Sequence, residues 1–136
     1  MQDAVKKAQV LTEALPYIRE FKNRFIVIKL GGSAQDDPEI LKHIFVDCQI
    51  MLAVGMRPVI VYGGGKKISR AMKESGASAR FIHGQRVTDA ATLAIVARVL
   101  SDEVGGALLG LLEETGGFGF LLNGRDHGFL PAVHQT

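Results

Sequence analysis

Apolar residues in this chain occur either in short continuous runs or at the spacing of a helix face. Two short continuous runs, Phe25–Leu30 (FIVIKL) and Arg57–Tyr62 (RPVIVY), are each followed directly by glycines. Such runs, rich in β-branched residues, are typical of buried strands. Between them, residues 36–39 (DDPE) predict a helix start, because they supply an Asp cap and a proline at the first position. That helix is expected to end at Gly55. Its apolar face comprises Leu41, Ile44, Phe45, Cys48 and Leu52.

The second half continues the alternation of strands and helices. Residues 63–65 (GGG) lead into a helix predicted at 66–75, and residues 80–87 indicate a hairpin or an irregular excursion about Gly84. Four further elements are predicted: a long helix from a cap at Thr88 or Asp89 through to Glu114, a strand at 118–122, a turn at 123–128 and a strand near 129–134. This alternation predicts the α/β class, as a three-layer αβα sandwich with a mainly parallel central sheet.

Residues 1–22 predict a separate N-terminal helical arm, and residues 23–136 the main domain. The apolar residues of the arm recur at helical spacing, while Pro16 predicts a bend or a break. They are Ala4, Ala8, Leu11, Leu15 and Ile18. Two interpretations are open: the helix packs on its own domain, or it grips a neighbouring subunit.

Composition narrows the class of protein. The 136 residues are 47% hydrophobic and 22% charged, with a net charge of +2, which is ordinary for a soluble globular domain and argues against disorder. The cations are spread along the chain, so no nucleic-acid or membrane footprint is indicated. The single Cys48 excludes an internal disulfide framework, and no Cys/His spacing predicts a metal site. We therefore expect a cytoplasmic protein.

Two glycine-rich loops carry the first indication of function: the first loop (Gly31 and Gly32) and the second loop (Gly63, Gly64 and Gly65). Each follows a strand, so in a parallel sheet both fall at the carboxyl edge, where ligands bind. Each also precedes a helix, whose free N–H groups and positive dipole end suit a phosphate or a carboxylate. Neither loop matches a Walker A loop or a dinucleotide fingerprint.

Two cationic side chains are candidates for contact with such a ligand: Lys29, directly before the first loop, and Arg86, in the stretch that leads into the long helix. Lys29, near the end of an apolar strand, must have its charge satisfied. It either reaches the sheet edge, pairs with Asp36 or Asp37, or holds its ammonium over a phosphate. Arg86 suits bidentate recognition of a carboxylate, and the alternative is a solvated or salt-bridged arginine.

These segments resemble the amino-acid kinase family, and within it the N-acetylglutamate kinases of arginine biosynthesis. The resemblance rests on KLGG at 29–32, VIVYGGG at 59–65, GQRVTD at 84–89 and NGRDHGFLPA at 123–132. GQRVTD is the most specific, because it separates this branch from the carbamate, aspartate and uridylate kinases of the same fold. ALPYIREF at 14–21 is similar to the segment before the first strand in hexameric, arginine-inhibited members.

The resemblance implies a role for each candidate residue. Lys29 would stabilise the transferring phosphoryl group, Gly31 and Gly32 would bind the terminal phosphates of the nucleotide, Gly64 and Gly65 would hold the substrate, and Arg86 would clamp its α-carboxylate. The implied reaction is phosphorylation of the side-chain carboxylate of N-acetyl-L-glutamate by ATP with Mg²⁺. The implied partners are a second copy in a homodimer, further copies in a hexamer formed through the N-terminal helix, and arginine as feedback inhibitor of the full-length protein.

Two departures from the family pattern keep alternatives open. Tyr62 and Lys66 stand where the family usually has His and Pro. Tyr there is similar to the kinase-like domain of N-acetylglutamate synthase, which binds arginine without phosphorylating; that domain tends to lose the strand lysine, kept here as Lys29. Family chains also have a C-terminal nucleotide-binding domain that is absent here, so we expect little or no kinase activity from the chain alone. A third interpretation is a related kinase acting on an aminoadipate derivative.

Overall fold

A computed structural model describes residues 2–126 and Leu130. The chain divides into two compact units, with the boundary between Tyr62 and Gly63. None of the helices in this part of the chain combines the length and the apolar character that crossing a membrane would demand.

The first unit contains a parallel pair of strands. Its elements are α1 (Gln2–Phe21), β1 (Phe25–Leu30), α2 (Gly32–Gln35), α3 (Pro38–Ala53) and β2 (Arg57–Tyr62). Leu30 pairs with Tyr62, so the two strands end level with each other. The predicted bounds of both strands are confirmed, as is the α/β class with a parallel sheet.

Helix α3 begins as the sequence predicts. The Asp37 carboxylate accepts hydrogen bonds from the backbone N–H groups of Glu39 and Ile40, at 3.0 and 3.3 Å. The first three turns bury the predicted apolar face, whereas Leu52 in the last turn is half exposed. The buried residues of α3 are Leu41, Phe45 and Cys48. Gly55, with φ +88°, ends the turn after the helix.

Strand β1 is buried on one face only, which corrects the prediction of a fully buried strand. Leu30 is buried, while Phe25 and Val27 on the opposite face are 68% and 67% exposed. Since neighbouring residues of a strand point to opposite sides, the exposed face also carries Lys29. The reason is that little of the described chain packs on this face, where Arg57 Cζ lies 5.5 Å from the centroid of the Phe25 ring.

Helix α1 runs unbroken through Pro16 and buries none of its side chains. Leu11 and Leu15 of its apolar stripe are 71% and 41% exposed. The break considered from the sequence is therefore absent, and α1 contributes no side chain to the core of the described chain.

The described part of the second unit contains helices and a hairpin. Its elements are α4 (Gly65–Glu74), β3 (Phe81–Ile82), β4 (Gln85–Arg86), α5 (Ala90–Arg98), a π-helical segment (Val99–Gly105) and α6 (Gly106–Glu114). Strands β3 and β4 pair antiparallel. They are joined by His83 and Gly84, whose φ angles of 49° and 79° are those of a tight hairpin turn. The hairpin predicted about Gly84 is thus confirmed.

The long helix predicted after Asp89 is continuous but not uniform. Asp89 caps α5 by accepting a hydrogen bond from the Thr92 N–H at 2.7 Å. The backbone then passes through the π-helical segment into α6 without leaving helical angles. This segment buries Val99 and Val104, which are 0% and 2% exposed.

The prediction of a strand at 118–122 is wrong. These residues join no ladder in the described chain. Phe118 and Phe120 are 73% and 80% exposed, with ring centroids 4.9 Å apart in an edge-to-face pair. A strand needs a neighbour to accept its backbone hydrogen bonds, and Gly119 within the segment weakens this one further. The strand predicted near 129–134 lies outside the described residues, apart from Leu130.

Candidate functional site

The first loop is open above both of its glycines. Gly31 caps α2 with φ −75°, which any residue can adopt. A Cβ atom built on Gly31 or Gly32 would meet no atom within 4 Å. Behind the loop, the Gln35 side-chain amide donates to the Leu30 carbonyl at 3.0 Å. The described chain therefore does not itself require glycine here, and the loop leaves room for a ligand oxygen.

Lys29 leaves β1 directly before this loop. It lies opposite Val61 in the parallel ladder, and it is exposed. Because β1 and β2 are hydrogen-bonded through to Leu30, the ladder determines where the Lys29 side chain leaves the sheet. Lys29, Gly31 and Gly32 of the first unit thus lie close together, because they fall within four consecutive residues.

The second loop contains glycines with different surroundings. A Cβ on Gly64 would lie 2.9 Å from Leu100 Cδ2 and 3.5 Å from Val104 Cγ2, so the π-helical segment packs directly on this residue. A Cβ on Gly65 would meet nothing within 4 Å. Gly65 opens α4, and the amides at the start of a helix have no intrahelical acceptor. Close packing explains Gly64, while Gly65 leaves the start of the helix uncovered.

Arg86 lies against the first two turns of α4. Its Nη2 donates to Ser69 Oγ at 2.8 Å and to the Gly65 carbonyl at 3.5 Å, and its Nη1 lies 3.0 Å from Met72 Sδ. Its Cζ sits 4.7 Å above the centroid of the Phe81 ring. The second unit therefore brings Gly64, Gly65 and Arg86 together at the start of α4.

The partners of Arg86 within the described part of the chain are all neutral: a hydroxyl, a carbonyl, a thioether sulfur and an aromatic ring. The salt-bridged alternative considered from the sequence is not observed there. A guanidinium has five N–H donors, and these contacts leave some of them for a further acceptor. Arg86 is thus held in place while its positive charge remains uncompensated by a carboxylate of the described chain.

Comparison with known proteins identifies the fold family. Residues 24–127 match the Amino acid kinase family. The chain belongs to this family. The expected family resemblance is therefore confirmed over most of the chain.

Within the amino-acid kinase family, the chain is similar to proteins named acetylglutamate kinase. It is 45% identical to the one from Paracidovorax citrulli over 93% of this chain and 43% of that protein. It is 46% identical to the one from Methanothrix thermoacetophila over 90% of this chain and 42% of that protein. The chain spans less than half the length of the curated relatives it matches.

A solved structure shares the fold at lower identity. N-acetylglutamate synthase from Neisseria gonorrhoeae, complexed with coenzyme A and L-arginine, superposes with a TM-score of 0.58 and 22% identity. The match covers 82% of this chain and 26% of that one. At this identity the likeness shows the amino-acid kinase fold alone.

Tyr62 comes directly before the second loop. It is the last residue of β2 and is half-buried. Burial raises the pKa of its phenol above the ordinary value, so Tyr62 is uncharged at neutral pH. Tyr62 therefore offers a neutral hydroxyl and an apolar ring before the second loop.

Three neighbours of Arg86 were not predicted from the sequence: Ser69, Met72 and Phe81. A signal for the first two exists, because they stand four and seven residues after Gly65 and so share its helix face. Phe81 follows from the two-residue turn, which pairs it with Arg86. These contacts become predictable only once the hairpin is known to fold back onto α4.

Proposed function

We propose that this chain is the N-acetyl-L-glutamate-binding part of an acetylglutamate kinase. The observation that carries the proposal is Arg86, a guanidinium held by neutral groups beside Gly65 at the start of α4. A fixed cation with spare donors at a helix N-terminus suits a carboxylate. The identity of 45–46% with proteins named acetylglutamate kinase supports this choice of substrate.

On the substrate side, Arg86 pairs with the α-carboxylate of N-acetyl-L-glutamate. The amide groups at the second loop receive the side-chain carboxylate and the phosphoryl group moving onto it, and the open space above Gly65 fits this task. Positioning of this kind supplies much of the rate in phosphoryl transfer, since the reaction needs little covalent help from protein.

On the phosphate side, Lys29 and the first loop face the transferring phosphoryl group of MgATP. An oxygen of the side-chain carboxylate forms a bond to the γ-phosphorus as the bond from that phosphorus to the ADP oxygen breaks. With a pKa of about 4.3, the attacking carboxylate is already ionised at neutral pH, so no general base is required. The Lys29 ammonium offsets charge on the γ-phosphoryl oxygens.

The remaining partners belong to the complete enzyme. We assign most of the ATP site, with its Mg²⁺, to the part of the relatives that this chain does not match, and accordingly expect little activity from the chain alone. The proposal includes a cytoplasmic location, a homodimer, hexamer formation through α1, and arginine as feedback inhibitor.

One observation favours a second function, that of a non-catalytic arginine-binding domain. Tyr62 replaces the family's usual His before the second loop, as in the kinase-like half of N-acetylglutamate synthase. Lys29 favours the kinase, because a domain without phosphoryl transfer has no use for that ammonium. An aminoadipate derivative as substrate differs from N-acetyl-L-glutamate only in side-chain length, and the same titrations separate the two.

The proposal is tested by calorimetric titration of the chain with N-acetyl-L-glutamate, with an N-acetylated aminoadipate and with L-arginine. We expect N-acetyl-L-glutamate to bind most tightly, and Arg86→Ala to weaken it about 100-fold, since charge-assisted bidentate bonds are lost. Arg86→Lys should recover only part of the affinity, because lysine lacks the fork. Arg80→Ala, at an exposed position before β3, is the matched control and should bind normally.

Two results would contradict the proposal. Binding of arginine alone would favour the sensing domain. Unchanged affinity in Arg86→Ala, with the melting temperature of the variant preserved, would remove Arg86 from the site.

A further inference from the structure

Ser69 makes the shortest contact to the Arg86 guanidinium. The distance from Arg86 Nη2 to the hydroxyl oxygen is 2.8 Å, in partly buried surroundings. The other contacts are less directional: a thioether sulfur is a weak acceptor, and the Gly65 carbonyl lies 3.5 Å away. The face of the Phe81 ring, 4.7 Å from Arg86 Cζ, attracts the cation but offers no directional acceptor. Among these contacts, the Ser69 hydroxyl is therefore the strongest directional acceptor for the guanidinium.

The position of Ser69 is itself well determined. Its neighbours Ile68, Ala71 and Met72 form the buried side of α4, at 7%, 7% and 1% exposure. Ser69 lies one helical turn after Gly65, so its hydroxyl is carried at a set distance from the start of α4. A hydrogen bond to this hydroxyl therefore fixes the position of Arg86 relative to the second loop.

We propose that Ser69 is a positioning residue that orients the Arg86 fork toward a carboxylate at the start of α4. This inference rests on the proposed function of Arg86. The chemistry of the hydroxyl matters as much as its place: it accepts a hydrogen bond without carrying charge, so Arg86 is oriented while its charge stays available. A carboxylate at position 69 would orient Arg86 equally well but would neutralise it.

This reasoning ranks four variants. Ser69→Ala removes the contact, and we expect it to weaken binding of N-acetyl-L-glutamate about tenfold, the usual effect of losing one hydrogen bond to a charged group. Ser69→Thr keeps the hydroxyl and should restore the affinity, whereas Ser69→Val, of nearly the same shape, should not. Ser69→Asp should weaken binding more than Ser69→Ala while leaving the melting temperature unchanged or higher.

The effects of Ser69→Asp on binding and on melting temperature separate a positioning role from structural support. If Ser69 served only to tie the hairpin to α4, an aspartate would strengthen the tie and binding would follow stability. Ser78→Ala, at an exposed position after α4, is the control and should change neither quantity. In an Arg86→Ala background, Ser69→Ala should have no further effect, because the two residues act as one unit.

A second measurement needs no ligand. In NMR spectra of the chain, an oriented guanidinium gives slow rotation about the Cζ–Nη bonds of Arg86. We expect Ser69→Ala and Ser69→Val to speed this rotation, and Ser69→Thr to leave it as in the native chain.

The outcomes distinguish the inference from the function on which it rests. If Ser69→Ala and Ser69→Val bind N-acetyl-L-glutamate normally while Arg86→Ala does not, Ser69 has no positioning role and the proposed function stands. If Arg86→Ala also binds normally, the proposed function fails, and with it the role of Ser69 toward a ligand. Unchanged guanidinium rotation in Ser69→Val would overturn the inference whatever the ligand.

Discussion

Gly64 and Gly65 are neighbours that are glycine for different reasons. At Gly64 the missing side chain makes room for Leu100, which would stand 2.9 Å from a Cβ. At Gly65 no atom of the described chain lies within 4 Å of that position. Neither residue has a positive φ, so neither is required by an unusual backbone conformation. The first is explained by packing, and the second by access to the start of α4.

This difference predicts that an added methyl group affects stability at Gly64 and ligand binding at Gly65. Gly64→Ala should lower the free energy of unfolding by about 1 kcal/mol, since the flexible end of Leu100 can shift only at some cost in packing. Gly65→Ala should leave it unchanged within about 0.5 kcal/mol but weaken binding of N-acetyl-L-glutamate. Urea denaturation and calorimetry measure the two quantities.

The double variant Gly64→Ala/Leu100→Ala provides the control. Its destabilisation should be smaller than the sum of the single variants, because shortening Leu100 makes room for the methyl group. A Gly64→Ala variant as stable as the native chain, beside a destabilised Gly65→Ala, would contradict the assignment of the two roles.

Elements of this chain were predictable where their signals are local. The cap at Asp37 sets the start of α3, and the glycine turn at Gly55 follows its end. Both depend only on nearby residues. The two strands of the parallel pair were bounded by the glycines that follow them and by their β-branched runs. The hairpin about Gly84 follows from a turn that needs positive φ.

Other features were not predictable, because they depend on distant partners. The π-helical segment has the same apolar spacing as an ordinary helix, so only its packing on Gly64 reveals it. Residues 118–122 have a strand-like sequence, but a strand exists only beside another strand. In the candidate site, Gly65 and Arg86 were anticipated, whereas Ser69 was not, since its role depends on how the hairpin folds back.

Helix α5 gives an element-scale prediction about pH. The Asp89 carboxylate accepts hydrogen bonds from Thr92, which lower the pKa of Asp89 below its ordinary value. A carboxyl whose pKa is lower in the folded state stabilises the fold above its unfolded pKa, and that contribution is lost as pH falls through the folded value. Asp89→Asn still caps the helix but does not titrate. We therefore expect its melting temperature to fall less steeply on acidification than that of the native chain.

Calorimetric melting between about pH 2 and 6 measures this difference, which should appear only on the acid side of the range. Asp89→Ala, which removes the cap altogether, should lower the melting temperature across the whole range. Parallel pH profiles for the native chain and Asp89→Asn would show that ionisation of Asp89 does not contribute to stability.

At the scale of the whole molecule, the exposed apolar surface and the comparison with relatives point the same way. The exposed face of β1 and the aromatic rings of Phe118 and Phe120 are apolar surfaces left uncovered by the described chain. The chain matches less than half the length of its acetylglutamate kinase relatives. Exposed apolar surface of this kind is often an interaction surface.

Helix α1 allows the two interpretations of the N-terminal arm to be separated. Leu11 and Leu15 lie one helical turn apart and are 71% and 41% exposed, so neither belongs to the core of the described chain. We expect Leu11→Ser/Leu15→Ser to lower the oligomeric mass of the protein in sedimentation velocity while the melting temperature of the dissociated subunit stays the same. Glu20→Ser, on the same exposed helix, is the control and should keep the native mass. An unchanged mass with a melting temperature several degrees lower would instead show that α1 packs on its own domain, because the lost contacts would then be intrachain ones.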